Sequence, residues 1–283
     1  MKILITGYKG MLGSDLVEEL KNENYHDLIL TDVEELDITN LGQVKEFLNK
    51  EKPEAIINVA AYTDVDGCET NRDLAYNVNS IGPKNLAIIA DEINAKLLHI
   101  STDYVFSGDN SKPYSEDDKT GPNSYYGETK LQAELFIKKY AKNYFIIRTA
   151  WLYGFNGKNF VKTMLELSKN NDQITVVNDQ HGSPTFTKDL AIAICELIKT
   201  DKYGIYHLTN GDNCTWYEFA KKIFELANVT IDIVPVTTEE YPTPAKRPQY
   251  SVLSNEKWKR AEFEPLRSYI DALNSYMGLE LNK

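Results

Sequence analysis

Short apolar runs alternate along the first half of the chain with longer stretches in which apolar positions recur every three or four residues. Lys2–Thr6, Leu28–Thr31, Ala55–Val59, Leu97–Ser101 and Phe145–Thr149 are compact apolar runs, the pattern of strands buried on both faces. Between them, Met11, Leu12, Leu16, Val17 and Leu20 mark one helix, and Leu41–Asn49 marks a second. A third covers Leu74–Ile93, with Pro83 near a helix start or at a kink. A fourth opens in SYYGETK and runs through LQAELFIKKYA. Strand and helix in strict alternation predict an α/β chain whose doubly wound parallel sheet occupies residues 1–150, with ligands at the strand C-termini.

Residues 151–283 are less regular and read mainly as a smaller C-terminal substrate-binding lobe over the strand ends, with some segments returning to the core. Helical patterns cover Asn159–Lys169, a stretch ending near Lys199, and Trp216–Leu226; strand patterns cover Ile174–Val177 and Gly204–Leu208. A proline-rich segment follows, with Pro235, Pro242, Pro244 and Pro248. Neither internal repeats nor low-complexity linkers interrupt the chain.

Composition narrows the function classes. A net charge of −11 and a pI near 5.0 argue against nucleic acid as a partner, yet permit one anionic nucleotide held by backbone amides. Three separated cysteines, Cys68, Cys195 and Cys214, suit a reducing compartment and offer no metal framework. No 18-residue apolar span is present, and the MKILITG opening is too short for a signal peptide. A cytoplasmic location without membrane association is the expectation.

The candidate chemistry sits at the predicted strand ends. After the first strand comes Gly7-Tyr8-Lys9-Gly10-Met11-Leu12-Gly13: Gly7 permits a tight turn, Gly10 lets backbone approach a pyrophosphate, and Gly13 lets helix and strand pack closely. The following helix N-terminus offers free N–H groups to phosphates. This is the signature of a Rossmann-type fold. Asp32 ends the second strand, where a carboxylate accepts hydrogen bonds from an adenosine ribose and favours NADH; Thr31 beside it leaves NADPH open. Asp37 and Ile38 precede a helix capped by Thr39 or Asn40 and face the same region. Ala60, Ala61, Tyr62 and Thr63 follow the third strand, and small residues there leave room for a cofactor; Asn79 and Gly82 lie just before Pro83. The stretch HISTDYVFSG ends the fourth strand, and Tyr126 and Lys130 stand one helical turn apart. A hydroxyl at a strand end with that pair suits carbonyl reduction: the phenol delivers a proton, and a nearby ammonium lowers its pKa. Tyr217 and Lys221 repeat the spacing on an amphipathic segment and read as a coincidence on a surface helix.

Together STDYVF (101–106), YGETK (126–130), DQHGSPT (179–185), YPTPAKRP (241–248) and the RPxxSxL pattern from Arg247 resemble the dTDP-4-dehydrorhamnose reductase family, extended short-chain dehydrogenase/reductases, over nearly the full length. The resemblance implies reduction of the 4-keto group of a dTDP-6-deoxy sugar, to give dTDP-L-rhamnose, with NADH or NADPH. It implies cofactor contacts at Gly7, Gly10, Met11, Leu12, Asp32, Asp37, Ile38, Ala61, Tyr62, Thr63, Tyr126 and Lys130, to which the local pattern adds Gly13, Ala60 and Asn79. Tyr126 becomes the proton donor, Lys130 its partner, and Thr102 the hydroxyl that positions the keto oxygen. Val65, Thr102, Asp103, Tyr104 and Trp151 fall at sugar-nucleotide positions, and Arg247 is the candidate for its pyrophosphate. A homodimer is compatible with the family. Some relatives use magnesium at a dimer interface through glutamates; Asp15 and Asp189 are the candidates for such a site here, but the sequence does not support magnesium and no metal site is assigned. Rival readings are a dehydratase or epimerase of the same fold, or a non-catalytic regulatory subunit. Dehydratases carry Asp-Glu where this chain has Asp103-Tyr104, which disfavours elimination.

Overall fold

The computed structural model describes residues 1–25 and 27–280; His26 and residues 281–283, the end of the expected lobe, lie outside the described residues. The first half builds the sheet: β1 (Ile3–Thr6), α1 (Met11–Asn22), β2 (Leu28–Thr31), α2 (Leu41–Glu51), β3 (Ala55–Asn58), α3 (Val65–Thr70), α4 (Arg72–Tyr76), α5 (Gly82–Glu92), β4 (Lys96–Thr102), α6 (Tyr125–Tyr140) and β5 (Tyr144–Thr149). The second half adds β6 (Leu152–Tyr153), α7 (Phe160–Leu167), β7 (Gln173–Val177), β8 (His181–Gly182), β9 (Thr185–Phe186), α8 (Thr187–Ile198), β10 (Gly204–His207), β11 (Cys214–Thr215), α9 (Trp216–Ala227), β12 (Asp232–Val236), α10 (Glu256–Arg260) and α11 (Tyr269–Glu280).

Six strands form one parallel sheet in the order β10-β5-β4-β3-β1-β2. β1 lies next to the edge strand β2, and β3, β4, β5 and β10 follow in turn on its other side, so the strand order reverses at β1. The crevice at that reversal is where open α/β sheets bind ligands. Alternate strand residues serve two cores, which explains the unbroken apolar runs. Ile3, Ile5, Ile57, Leu98, Phe145 and Ile147 pack beneath α1 and α8. Leu4, Ile56, Leu97 and Ile146 pack beneath α2, α5 and α6. A third apolar cluster, including Tyr153, Val161, Phe186, Phe219 and Tyr276, holds α7, α9 and α11 together beside the strand ends.

Several elements depart from the sequence pattern for identifiable reasons. The helix expected over Leu74–Ile93 consists of α4, a π-helical turn (Asn77–Ile81) and α5, with Pro83 in the first turn of α5. Proline has no N–H to give the preceding turn, so the ladder widens there instead of breaking. Of the two caps expected for α2, Thr39 or Asn40, it is Asn40 that serves, accepting from the Gln43 N–H at 3.2 Å, so this expectation holds. β12 lies within the proline-rich stretch and pairs in parallel with β7; its Pro235 is tolerated because this pair has only two strands and both are edges. The strand expected through Leu208 stops at His207.

Candidate active site

Two adjoining clefts open over the C-terminal ends of the strands, with volumes of 360 and 440 Å³. Gly7, Gly10, Val59 and Ala61 line both and join them into one groove.

The glycine turn forms the junction. Gly7 has φ +74°, and an added Cβ would lie 2.8 Å from both N and Cα of Ala60. Bare backbone of the turn and of the β3 exit therefore approach each other. Gly10 is the N-cap of α1 and supplies no capping side chain, which leaves the N–H groups of the first turn facing the groove. Gly13 serves a closer contact than the expected helix–strand packing: a Cβ there would meet Gly7 O at 2.4 Å and Tyr8 Cα at 2.7 Å. Met11, Leu12 and Gly13 line the larger cleft.

The smaller cleft gathers Asp32, Asp37, Ile38, Ala60, Ala61 and Tyr62, all anticipated from sequence, and adds Val33, Leu36 and Val78. Asp32 Oδ1 accepts from its neighbour Val33 N–H at 2.9 Å, an arrangement that fixes the carboxylate at the rim. Asp37 is turned inward instead, accepting from the Thr39 N–H at 2.9 Å and the Thr39 hydroxyl at 2.7 Å. Asn79 lies behind the wall, fully buried. Its Oδ1 accepts from the Tyr62 N–H at 2.8 Å, and its Nδ2 donates to Tyr62 O at 3.0 Å and Thr129 Oγ1 at 3.2 Å. It clamps the lining loop and does not line the groove itself.

The larger cleft brings together Thr63, Val65, Thr102, Asp103, Tyr104, Tyr126, Lys130 and Trp151. Ser124 caps α6 by accepting from the Gly127 N–H at 3.2 Å. A Cβ on Gly127 would fall 2.2 Å from Tyr104 O, so this glycine lets the helix settle on the β4 exit loop and hold Tyr126 beside Tyr104 and Thr102. The Tyr104 and Tyr126 rings meet edge to face, 5.6 Å apart. Thr102 Oγ1 donates to Asp103 Oδ1 at 2.9 Å, whereas Asp103 Oδ2 is buried without a hydrogen-bond partner. Burial pushes Asp103 up to about 6, with the Ser251 and Thr102 hydroxyls pulling it back.

Electrostatics around Tyr126 differ from the expectation that Lys130 lowers the phenol. Burial raises Tyr126 above its usual value, the Asp103 carboxylate adds to the rise, and the Thr102 hydroxyl opposes it. The reason is the direction of the lysine: Lys130 Nζ donates to Ile100 O at 2.6 Å and lies 3.2 Å from His99 Nε2. Burial in turn lowers Lys130 to about 8, against an upward pull from Glu134. Glu134 is itself held by Arg148, with contacts of 2.9 and 2.7 Å, and accepts from Ser101 Oγ at 2.6 Å.

Trp151 closes the far end. Its φ of +49° is unusual for a bulky residue, and its ring stacks on Trp216 at 3.4 Å, so packing imposes the strained backbone. Trp216 and Lys158 join the lining from a part of the chain where sequence gave no site signal. Arg247 stays at the rim: its Nη2 pairs with Asp66 Oδ2 at 2.8 Å, and its Nη1 is 3.5 Å from the Tyr104 hydroxyl. The guanidinium ties the loop of residues 241–248 to α3 and does not enter the cleft. Tyr217 and Lys221 lie on α9, away from both clefts.

The carboxylates considered for magnesium are engaged within the chain. Asp189 holds Arg267 through two contacts of 2.8 and 2.9 Å and accepts from Asn210 at 2.8 Å, while Asp15 accepts from the Thr187 hydroxyl. Among the described residues, no group of three or more His, Cys, Asp or Glu side chains is placed to hold a metal ion.

Known proteins resemble this chain in sequence and in fold. Residues 1–280 match the family model described as the RmlD substrate binding domain. A dTDP-4-dehydrorhamnose reductase from Aggregatibacter actinomycetemcomitans is 43% identical, the match covering 92% of each chain. The crystal structure of a dTDP-4-dehydrorhamnose reductase from Clostridium acetobutylicum superposes with a TM-score of 0.97 at 48% identity, covering 99% of this chain and 100% of that one. Another from Bacillus anthracis, in complex with NADP, gives 0.95 at 45% identity, covering 98% and 99%. The chain belongs to the dTDP-4-dehydrorhamnose reductase family.

Proposed function

We propose that this protein reduces the 4-keto group of dTDP-4-dehydro-6-deoxy-L-mannose to give dTDP-L-rhamnose, using NADH or NADPH. The observation that carries the reading is the convergence of Thr102, Tyr126 and Lys130 in a cleft continuous with the glycine turn. The residues fit a dinucleotide: the cradle at Gly7 would be filled by a single Cβ, and the uncapped start of α1 suits a diphosphate. Bound there, a reduced nicotinamide supplies the hydride. Asp32 at the rim of the smaller cleft suits an adenosine ribose and favours NADH; the relative solved with NADP keeps NADPH in the proposal.

The chain's own residues supply the proton and the orientation. Burial holds Tyr126 protonated throughout the neutral range, the state required of a proton donor in reduction. Thr102 stands beside it, and its hydroxyl, which donates to Asp103 in the free protein, would turn to the keto oxygen as negative charge develops there. Lys130, anchored by Ile100 O and His99, keeps positive charge at the floor of the cleft below its titration near 8. Val65, Asp103, Tyr104 and the Trp151–Trp216 stack would enclose the sugar nucleotide, with residues 151–283 supplying most of the lobe around it. Arg247 would reach a diphosphate only by leaving Asp66. The absence of a glutamate at Tyr104 removes the second carboxyl that elimination requires. A cytoplasmic location accords with the reading, and no helix among the described residues is long and apolar enough to cross a membrane.

The test is oxidation of NADH and NADPH with dTDP-4-dehydro-6-deoxy-L-mannose beside its UDP and GDP analogues. Wild type should turn over the dTDP sugar, and Tyr126→Phe should bind cofactor normally yet lose at least about 10² in turnover. Near-normal turnover by that variant would remove Tyr126 from the mechanism.

A further inference from the structure

Beneath Lys130 the sheet carries a row of polar side chains where its neighbours are aliphatic. Thr6, Asn58 and His99 are register partners on β1, β3 and β4, so they stand side by side on one face. On that face Leu4, Ile56 and Leu97, two residues earlier on the same strands, form the core. All three polar residues are buried, as is Lys130. The row is continuous: Thr6 Oγ1 lies 2.7 Å from the Asn58 amide, Asn58 lies 3.0 Å from His99 Nδ1, and His99 Nε2 lies 3.2 Å from Lys130 Nζ. Thr6 also lines the smaller cleft, so the row passes under the groove from one end to the other.

Buried polar groups cost stability unless donors meet acceptors, and this row has two complete assignments. In one, the Thr6 hydroxyl donates to Asn58 Oδ1, the Asn58 N–H donates to His99 Nδ1, and the imidazole N–H on Nε2 donates to an uncharged Lys130 amine. In the other every bond reverses. The Lys130 ammonium donates to Nε2, the imidazole N–H on Nδ1 donates to the Asn58 oxygen, and the amide, turned over, donates to Thr6 Oγ1. Burial and the Lys130 charge hold the imidazole well below its usual pKa, so it stays neutral in both. Lys130 meets both charge states near neutral pH, because burial lowers it to about 8. The other groups around it are Glu134 one turn along α6, held by Arg148 of β5, and Tyr126 and Asp103 at the cleft.

We propose that His99 is a positioning residue that keeps Lys130 hydrogen-bonded in both charge states, its tautomer reversing with the lysine proton through Asn58 and Thr6. This rests on the reductase reading for its catalytic meaning, but its structural content is measurable without turnover. The chain has four histidines, so ¹⁵N NMR of the imidazole rings is tractable, with His99 assigned by loss of its signals in His99→Gln. From about pH 6 to about pH 10, across the Lys130 titration, the protonated nitrogen of His99 should switch from Nδ1 to Nε2 in the wild type. Lys130→Met should abolish the switch. In the reductase assay, His99→Phe should shift the alkaline limb of turnover down by at least about one pH unit, as a lysine that has lost an acceptor gives up its charge earlier. His99→Gln, whose amide can accept or donate, should recover most of that shift. A single tautomer across the range in wild type, or an alkaline limb unmoved in His99→Phe, would overturn the proposal. Wild type inactive on every keto sugar, but with the tautomer switch present, would overturn the reductase reading and support the row.

Discussion

Replacing Gly7 by alanine adds one methyl group at the tightest point of the groove. The backbone there has φ +74°, where a residue with a Cβ costs roughly 1–2 kcal/mol more than glycine. The new carbon would lie 2.8 Å from N and Cα of Ala60, so turn or strand exit must move, at a further cost of about 1–3 kcal/mol. The combined penalty of about 2–5 kcal/mol appears either as lost stability or as lost cofactor affinity, according to whether the free protein relaxes the contact. Relaxation that displaces Ala60 disturbs the wall of the smaller cleft and shifts its neighbours Val59 and Ala61, which line both clefts, and the cofactor must then restore them. Thermal unfolding and titration with NADH and NADPH measure the two parts. About 1.4 kcal/mol in affinity is a tenfold rise in Kd, and 1 kcal/mol in stability is about 2–4 °C in Tm for a chain of this size. Gly157→Ala is the matched control: φ is +72° but nothing lies within 4 Å of the added carbon, so it should cost only the backbone part and leave cofactor affinity unchanged. If Gly7→Ala matches Gly157→Ala in both measurements, the close approach of turn and strand exit has been misassigned.

Glu134→Gln leaves the buried Arg148 guanidinium without its carboxylate, a change worth about 3–5 kcal/mol, and Tm should fall by roughly 10 °C. Glu134→Leu combined with Arg148→Met and Ser101→Ala should recover most of that loss, because neither the guanidinium nor the Ser101 hydroxyl is then left without its carboxylate; equal destabilisation of the single and triple variants would contradict the account. Asp103 gives a pH signature. Its folded pKa of about 6 lies above the ordinary carboxylate value of about 3.8, so its protonated form stabilises the fold below about pH 4, and that contribution is lost as pH rises through about 6. Asp103→Asn should therefore gain on wild type by up to about 3 kcal/mol between pH 4 and pH 7 in urea denaturation, and a pH-independent difference would refute the buried-carboxylate reading.

Particular residues show what sequence made legible. The glycine turn could be read because φ > 0 and close backbone approach leave a trace in residue type itself. Asp32, Ala60–Thr63, Thr102 and the Tyr126–Lys130 spacing could be read because they end apolar runs or share a helical face, both matters of local period. Asn79 and Arg247 were legible as polar residues near the right elements, but not by partner. Asn79 turns to Tyr62 across 17 positions, and Arg247 to Asp66 across 181. Trp216 gave no signal because only its stacking on Trp151 brings it to the cleft.

Local chemistry alone therefore determined the α/β architecture, the glycine turn and the strand-end positions of the candidate catalytic groups, since each depends on neighbours within a turn or strand. Tertiary structure decided what those groups experience. The upward shift of Tyr126, the lowered Lys130 and the polar row from Thr6 to His99 arise from burial and from strand register. Register sets which residues stand side by side across strands far apart in the chain, and burial removes the water that would otherwise level their charges.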